Sequence, residues 1–300
     1  MTQPREPHAP FSSSQSGATL EASEATGALE ASAALEKSAA DAIPEASAIG
    51  GFAQLFPAGL PRLVMFDLDG TLVDSVPELA AAVEQMLLEL GRPPVGSAAV
   101  RLWVGKGARV LVRRALAGDL HHAAVDETDT EQALALFMAA YAGSQHLTQI
   151  YPGVRDSLKW LRQQGVEMAL ITNKPERFVA PMLDALKIGR YFRWIIGGDT
   201  LAQQKPDPTG LLQVMKMAGV EPQQALFIGD SRSDVLAAHA AGVLCVALSY
   251  GYNHGRPIAE EAPALVIDDL RELLPGCPSA CAELPLADPQ STSSEESAAW

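Results

Sequence analysis

"LVMFDLDGTLVDS", running from Leu63 to Ser75, decides how this chain is read. Its opening run of four apolar residues has no polar alternation, the habit of a strand buried on both faces in a parallel sheet. Packing gives such a strand no reason to end in Asp67 and Asp69, two carboxylates that repel each other, or to follow them with Gly70. The stretch therefore predicts a central strand that delivers acids to one edge of a sheet.

Moving outward, further short apolar runs alternate with amphipathic segments. They predict strands at Glu167–Asn173, Trp194–Asp199, Ala225–Asp230, Val243–Tyr250 and, more weakly, Ala264–Asp268. Helical spacing fills the gaps, as where Val154, Leu158 and Leu161 share a face ahead of Gly165. The fold class is α/β, a Rossmann-like parallel sheet core joined by crossover helices. From Ser75 to about Tyr151 there is no strand candidate, only helical stretches such as "VPELAAAVEQMLLELG" and "EQALALFMAAYAGSQH". A simple crossover needs far less chain. The economical reading is a helical cap domain inserted after the first strand, above the sheet edge where ligands of open α/β folds bind. The divisions are a core of 59–75 and 151–274, a cap of 76–150, and tails of 1–58 and 275–300. Both tails are rich in small and polar residues and read as disordered, apart from transient helix around Ala31–Ala40.

The totals narrow the function. With 300 residues, 48% of them hydrophobic, and a formal charge of -14, the chain describes an acidic globule and argues against nucleic acid as partner. No apolar stretch approaches the roughly 20 residues that span a bilayer, and the first residues lack the apolar block of a secretion signal. The cytoplasm is the expected compartment, and membrane is not an expected partner. Of the three cysteines, Cys245 lies in an apolar run and reads as a reduced core residue, while Cys277 and Cys281 fall in the second tail. Monomer and homodimer both remain open.

Parallel strands bring their carboxyl ends to one edge, so residues remote in sequence meet there. Asp67 and Asp69 follow the first strand, Thr172 and Asn173 the second, and Asp230 ends "ALFIGD". Lys205 follows the third strand, and Asp234 sits in the first turn of the helix after Asp230. Clustered carboxylates raise each other's pKa unless a cation sits among them, and an all-oxygen set suits Mg²⁺. Asp67, anionic at neutral pH, can then attack phosphorus directly, giving an aspartyl-phosphate. Asp69 can protonate the leaving oxygen and later deprotonate water. Gly70 lets the chain turn beside the phosphate, while Thr172, Asn173 and Lys205 supply hydrogen bonds and positive charge. The implied partner is a small phosphorylated molecule.

"DLDGT", "ITN", "KPDP" and "GDSRSD", in that order and at those strand ends, resemble the haloacid dehalogenase superfamily of phosphatases over roughly Pro61 to Leu274. Within it the chain is most similar to the bacterial phosphoglycolate phosphatase family, through "WVGKGARVLVRRAL", "YPGV" and "YGYNHG". The resemblance implies Mg²⁺-dependent hydrolysis of 2-phosphoglycolate to glycolate and phosphate. It makes Asp67 the nucleophile and Asp69 the acid and base that also lends its backbone carbonyl to Mg²⁺. Asp230 becomes a further metal ligand, Asp234 holds the metal's waters, and Thr71 matches the phosphatase pattern. The acid at position 69 argues against a dehalogenase or a phosphonatase. Phosphatases for a sugar phosphate, a phosphoglucomutase-type transferase and a non-catalytic interaction protein stay as alternatives.

Other features carry two readings. "DLDGTLVD" alone suggests a calcium loop, but an apolar strand rather than a helix precedes it. Lys106, between Gly105 and Gly107, is either a cap residue that meets a substrate carboxylate or a solvated lysine at a helix break. Arg109 is expected to face the crevice, whereas Arg113 and Arg114 cannot share one helix face. His254 reads as an exposed loop residue or a substrate contact.

Overall fold

The computed structural model describes residues 50–143 and 147–276. The expectations for residues 1–49, the Ala31–Ala40 helix among them, and for residues 277–300 with Cys277 and Cys281, lie outside the described residues.

Six parallel strands form the main sheet: β1 (Leu63–Phe66), β4 (Glu167–Ile171), β5 (Trp194–Ile196), β6 (Ala225–Gly229), β7 (Leu244–Leu248) and β8 (Leu265–Ile267), in the order β5-β4-β1-β6-β7-β8. Every strand foreseen from the sequence is present. β1 is central, paired in register with β4 on one side and β6 on the other. Its side chains alternate between two packed faces: Val64 and Phe66 join Leu158, Leu170 and Ile228, while Leu63 and Met65 join Leu211, Ala169 and Phe227. Because helices cover both faces, each strand needs apolar residues at every position, and β1 and β6 are buried throughout.

The chain leaves this core at a two-stranded ribbon, β2 (Val73–Asp74) against β3 (Gln149–Ile150), paired antiparallel. The sequence had read the stretch up to Tyr151 as free of strands. β3 corrects that, and its two residues are too short to show any alternation. Between the ribbon strands lie α2 (Val76–Glu89), α3 (Ser97–Trp103), α4 (Gly107–Ala117) and α5 (Glu127–Gly143). They enclose a second apolar centre built from Val83, Met86, Val112 and Phe137, which also takes in Phe178 and Tyr252 from the core.

A second correction concerns residues 50–58, which the sequence assigned to the tail. They carry α1 (Gly51–Leu55), whose Phe52 is buried and stacks on Trp160 at 5.9 Å. Small residues flank Phe52 and hide this one anchor from a composition argument, whereas its ring supplies enough apolar area to dock a single turn.

Candidate active site

The site is assembled from residues that stand just past strand ends. Asp67 follows β1 directly and its N–H donates to the Ile228 carbonyl at 2.9 Å, so the parallel pairing with β6 continues one residue into the acids. Asp230 follows β6. Ser231 caps α9 (Arg232–Ala241), and Asp234 closes the cap by accepting from the Ser231 N–H at 3.0 Å and its hydroxyl at 2.7 Å. A capping box thus aims Asp234 back toward β1. Its other oxygen accepts from Lys205 Nζ at 2.6 Å, and the same ammonium stands 2.7 Å from Asp67 Oδ1.

Asp67, Asp230 and Asp234 bring carboxylate oxygens within 4.8 Å of one another, and all are buried. Asp230 is gripped by the Thr71 hydroxyl and the Tyr252 N–H, each at 2.6 Å. The turn between them requires Gly70: its φ is +92°, and a Cβ there would lie 2.2 Å from Asp230 Oδ2. Burial, opposed by Lys205 and reinforced by Asp234, pushes the Asp67 carboxyl up to about 7. Burial and then the charges of Asp234 and Asp67 raise Asp230 well above the carboxylate range. Burial alone would lower the Lys205 ammonium, but Asp234 and Asp67 outweigh it and hold the group above the ordinary lysine value.

This cluster fits a divalent cation. If all three carboxylates are to be ionised against a single ammonium, an excess of two negative charges stands in a buried space and calls for a further cation. Apart from the Lys205 ammonium 2.7 Å away, Asp67 Oδ1 has no hydrogen-bond donor among the described residues. Oxygen donors without nitrogen or sulfur select a hard ion of the magnesium kind.

Asp69 is drawn elsewhere. Its carboxylate meets the buried Lys174 ammonium at 3.1 and 3.3 Å, and Lys174 also donates to the Tyr141 hydroxyl at 2.5 Å. The sequence reading gave Asp69 to the metal through its backbone carbonyl; Lys174, which that reading overlooked, holds the Asp69 side chain apart from the carboxylate trio. The available signal was position, since Lys174 directly follows Thr172 and Asn173 in "ITNKP". Tyr141 had none, being one ring in an apolar cap helix.

Above these residues lies a cavity of about 50 Å³, lined below by Asp67, Asp69, Thr172, Asn173, Lys174 and Lys205. Leu79, Val104, Leu111 and Phe137 of the cap form much of its roof. Asn173 fastens the two together, its amide donating to the Gly105 carbonyl at 3.1 Å and to the Lys205 carbonyl at 2.9 Å. Gly105 and Gly107 also line the cavity, both with positive φ. That turn brings backbone to the cavity and leaves the Lys106 side chain exposed, away from the lining.

Arg109 corrects an expectation. It pairs with Glu127 and with Glu131, the latter at 2.8 Å, on the outside of the cap, and it does not face the crevice. Two α5 carboxylates one helical turn apart supply a better-matched partner than an apolar roof. Arg114 is buried and donates to the Trp103 carbonyl at 2.6 Å, whereas Arg113 reaches Glu127. His254 lies at the cap margin, its Nδ1 2.7 Å from the Leu102 carbonyl. Cys245 is buried and unpaired, as its apolar run implied.

Comparison with known proteins agrees with this architecture. Residues 64–248 match the family model described as haloacid dehalogenase-like hydrolase. A phosphoglycolate phosphatase of Pseudomonas putida is 72% identical over 249 residues, which is 83% of this chain and 92% of that protein. Phosphoglycolate phosphatase 1 of Pseudomonas aeruginosa is 70% identical over 241 residues, 80% of this chain and 88% of that one. Among solved structures, a predicted phosphoglycolate phosphatase from Haemophilus somnus superposes with a TM-score of 0.66 at 36% identity, covering 71% of this chain and 96% of that chain.

Proposed function

The chain belongs to the haloacid dehalogenase-like hydrolases, and from that premise we propose that it hydrolyses 2-phosphoglycolate to glycolate and phosphate with the help of Mg²⁺. One observation carries the reading: a buried carboxylate trio with a single ammonium stands under a cavity of about 50 Å³. That volume is of the order of a few water molecules, so the covered space favours a small substrate.

Asp67, Asp230 and Asp234 would hold the ion, with the backbone carbonyl of Asp69 as a further oxygen. When bound, the ion offsets negative charge on the transferring phosphoryl group. In the first step an Asp67 carboxylate oxygen attacks phosphorus, the bond to the glycolate oxygen breaks, and that oxygen takes the Asp69 proton. In the second, Asp69 takes a proton from water as its oxygen attacks phosphorus, releasing inorganic phosphate and restoring Asp67. Lys205 opposes the rise that burial imposes on Asp67 and adds positive charge beside the phosphate, and Thr172 and Asn173 border it. Gly70 and Thr71 maintain the turn that presents both acids.

The test is a phosphate ester panel with purified protein and Mg²⁺. A kcat/KM for 2-phosphoglycolate well above those for hexose phosphates supports the reading. A hexose phosphate preference, or transfer of phosphate to a sugar instead of water, overturns it.

A further inference from the structure

Two cations line the cavity, and they are differently committed. Lys205 lies between Asp67 and Asp234, and its contacts account for its role. Lys174 is also buried, but its partners leave capacity unused. An ammonium has three N–H donors; one directed between the two Asp69 oxygens and one on Tyr141 leave a third for the cavity. The Tyr141 hydroxyl accepts from Lys174, and its own proton has no acceptor among the described residues. Lys174 and Tyr141 both line the cavity, so two unused donors converge on its wall.

Of the cap's other basic groups, Lys106 is exposed away from the lining and three arginines are engaged elsewhere. Arg109 is held by Glu127 and Glu131, Arg101 by Asp74 at 2.9 Å, and Arg114 by the Trp103 carbonyl. The roof itself is apolar. A substrate that carries a second anion besides its phosphate therefore meets one cation and one hydroxyl suited to it.

We propose that Lys174 and Tyr141 form the carboxylate subsite, selecting phosphate esters whose leaving group is a small hydroxy acid. The inference rests on the phosphoglycolate reading and names the residues behind that preference. Lys174 supplies a charged N–H donor, while Tyr141, from the cap, orients the ammonium and adds its own O–H. Because Tyr141 belongs to α5 and Lys174 follows β4, the subsite is complete when cap and core meet. It therefore couples recognition of the acid to covering of the phosphate.

The experiment compares 2-phosphoglycolate with ethyl phosphate, which has the same ester and a two-carbon leaving group without the carboxylate. Wild type, Lys174→Met and Tyr141→Phe are assayed with Mg²⁺, and the ratio of the two kcat/KM values is followed. Differences in intrinsic leaving-group reactivity are common to all three proteins and cancel. Loss of a charged hydrogen bond predicts a fall in this ratio of about 10- to 100-fold in Lys174→Met, mostly through KM for 2-phosphoglycolate. Loss of a neutral one predicts roughly 3- to 10-fold in Tyr141→Phe. Lys174 also touches Asp69, so both esters lose rate in Lys174→Met. An equal loss on both would make Lys174 a positioning residue for Asp69 and overturn the subsite. Should Lys174→Met fail to fold, Tyr141→Phe decides alone, and an unaltered ratio there overturns the proposal. A wild type indifferent to the carboxylate would instead defeat the phosphoglycolate reading before any variant is considered.

Discussion

The floor and the roof of the cavity are built on opposite terms. Below, Asp230 is bonded to Thr71 and Tyr252, Asp234 to Ser231 and Lys205, and the acids stand on the ends of fully buried strands. Above, Leu79, Val104, Leu111 and Phe137 offer shape and an apolar surface, with Tyr141 supplying the polar contact to Lys174. The floor's rigidity comes from a hydrogen-bond network in which each member constrains the next. The roof's comes from packing within a separate apolar centre. Chemistry needs atoms held closely, whereas selection among substrates needs only a boundary that can be refitted. The two regions can therefore change independently, and substitutions should separate them.

The sharpest break is Asp67→Asn. It removes the attacking anion but keeps the shape, so kcat should fall on the order of 10⁵-fold while the unfolding transition survives. Steady-state kinetics with thermal unfolding checks both halves. A variant retaining more than a hundredth of wild-type turnover would deny Asp67 its covalent role.

Lys205→Met attacks the floor through charge instead. It leaves Asp67 and Asp234 buried without their shared ammonium, a loss of about 3–5 kcal/mol when one partner of a buried pair is removed. Urea unfolding of the metal-free protein should register that loss, and added Mg²⁺ should recover part of it. A roof variant such as Arg101→Ala, whose guanidinium is two-fifths exposed in its pair with Asp74, should lose far less stability.

A smaller effect links the floor to pH. Burial pushes Asp67 up to about 7, above its ordinary value of 3.8, so the folded metal-free protein binds more protons than the unfolded chain between those pH values. The contribution favouring the fold is complete below pH about 4 and is lost as pH rises through about 7. Asp230 is raised in the same sense. Mg²⁺ competes with those protons, so the rise in Tm on adding it should be larger at pH 8 than at pH 5. An increment that does not depend on pH would place the ion outside this cluster.

What the sequence disclosed divides along the same line. Leu63–Phe66 announces a buried strand because apolar side chains must fill both faces of a parallel sheet, and the acids beyond it follow from the geometry of strand ends. Asp67, Asp230 and Asp234 were legible for that reason. Lys174 was available by the same rule, one residue past Asn173, but a lysine in a loop ordinarily reads as solvated. The roof was less legible. Nothing in "FMAAYAG" distinguishes Tyr141 from the packing residues around it, since its meeting with Lys174 depends on how the cap seats on the core. Phe52 was hidden likewise, because its value lies in Trp160 more than a hundred residues away.

Arg109 gives the comparison its finest test, because the sequence reading had directed it toward the crevice. Its guanidinium is two-fifths exposed and shared between Glu127 and Glu131 of α5, so solvent and competing acids leave little for any one contact. Arg109→Ala should change kcat/KM for 2-phosphoglycolate by less than about twofold, and it should alter stability only within the small range of exposed pairs. The same substitution at Lys174 should act on substrate choice, although both residues are basic and both border the cap. A loss approaching tenfold for Arg109→Ala would mean that α4 turns its arginine inward when substrate is present. The roof would then contribute a charge of its own, and the division of labour between the two regions would have to be redrawn.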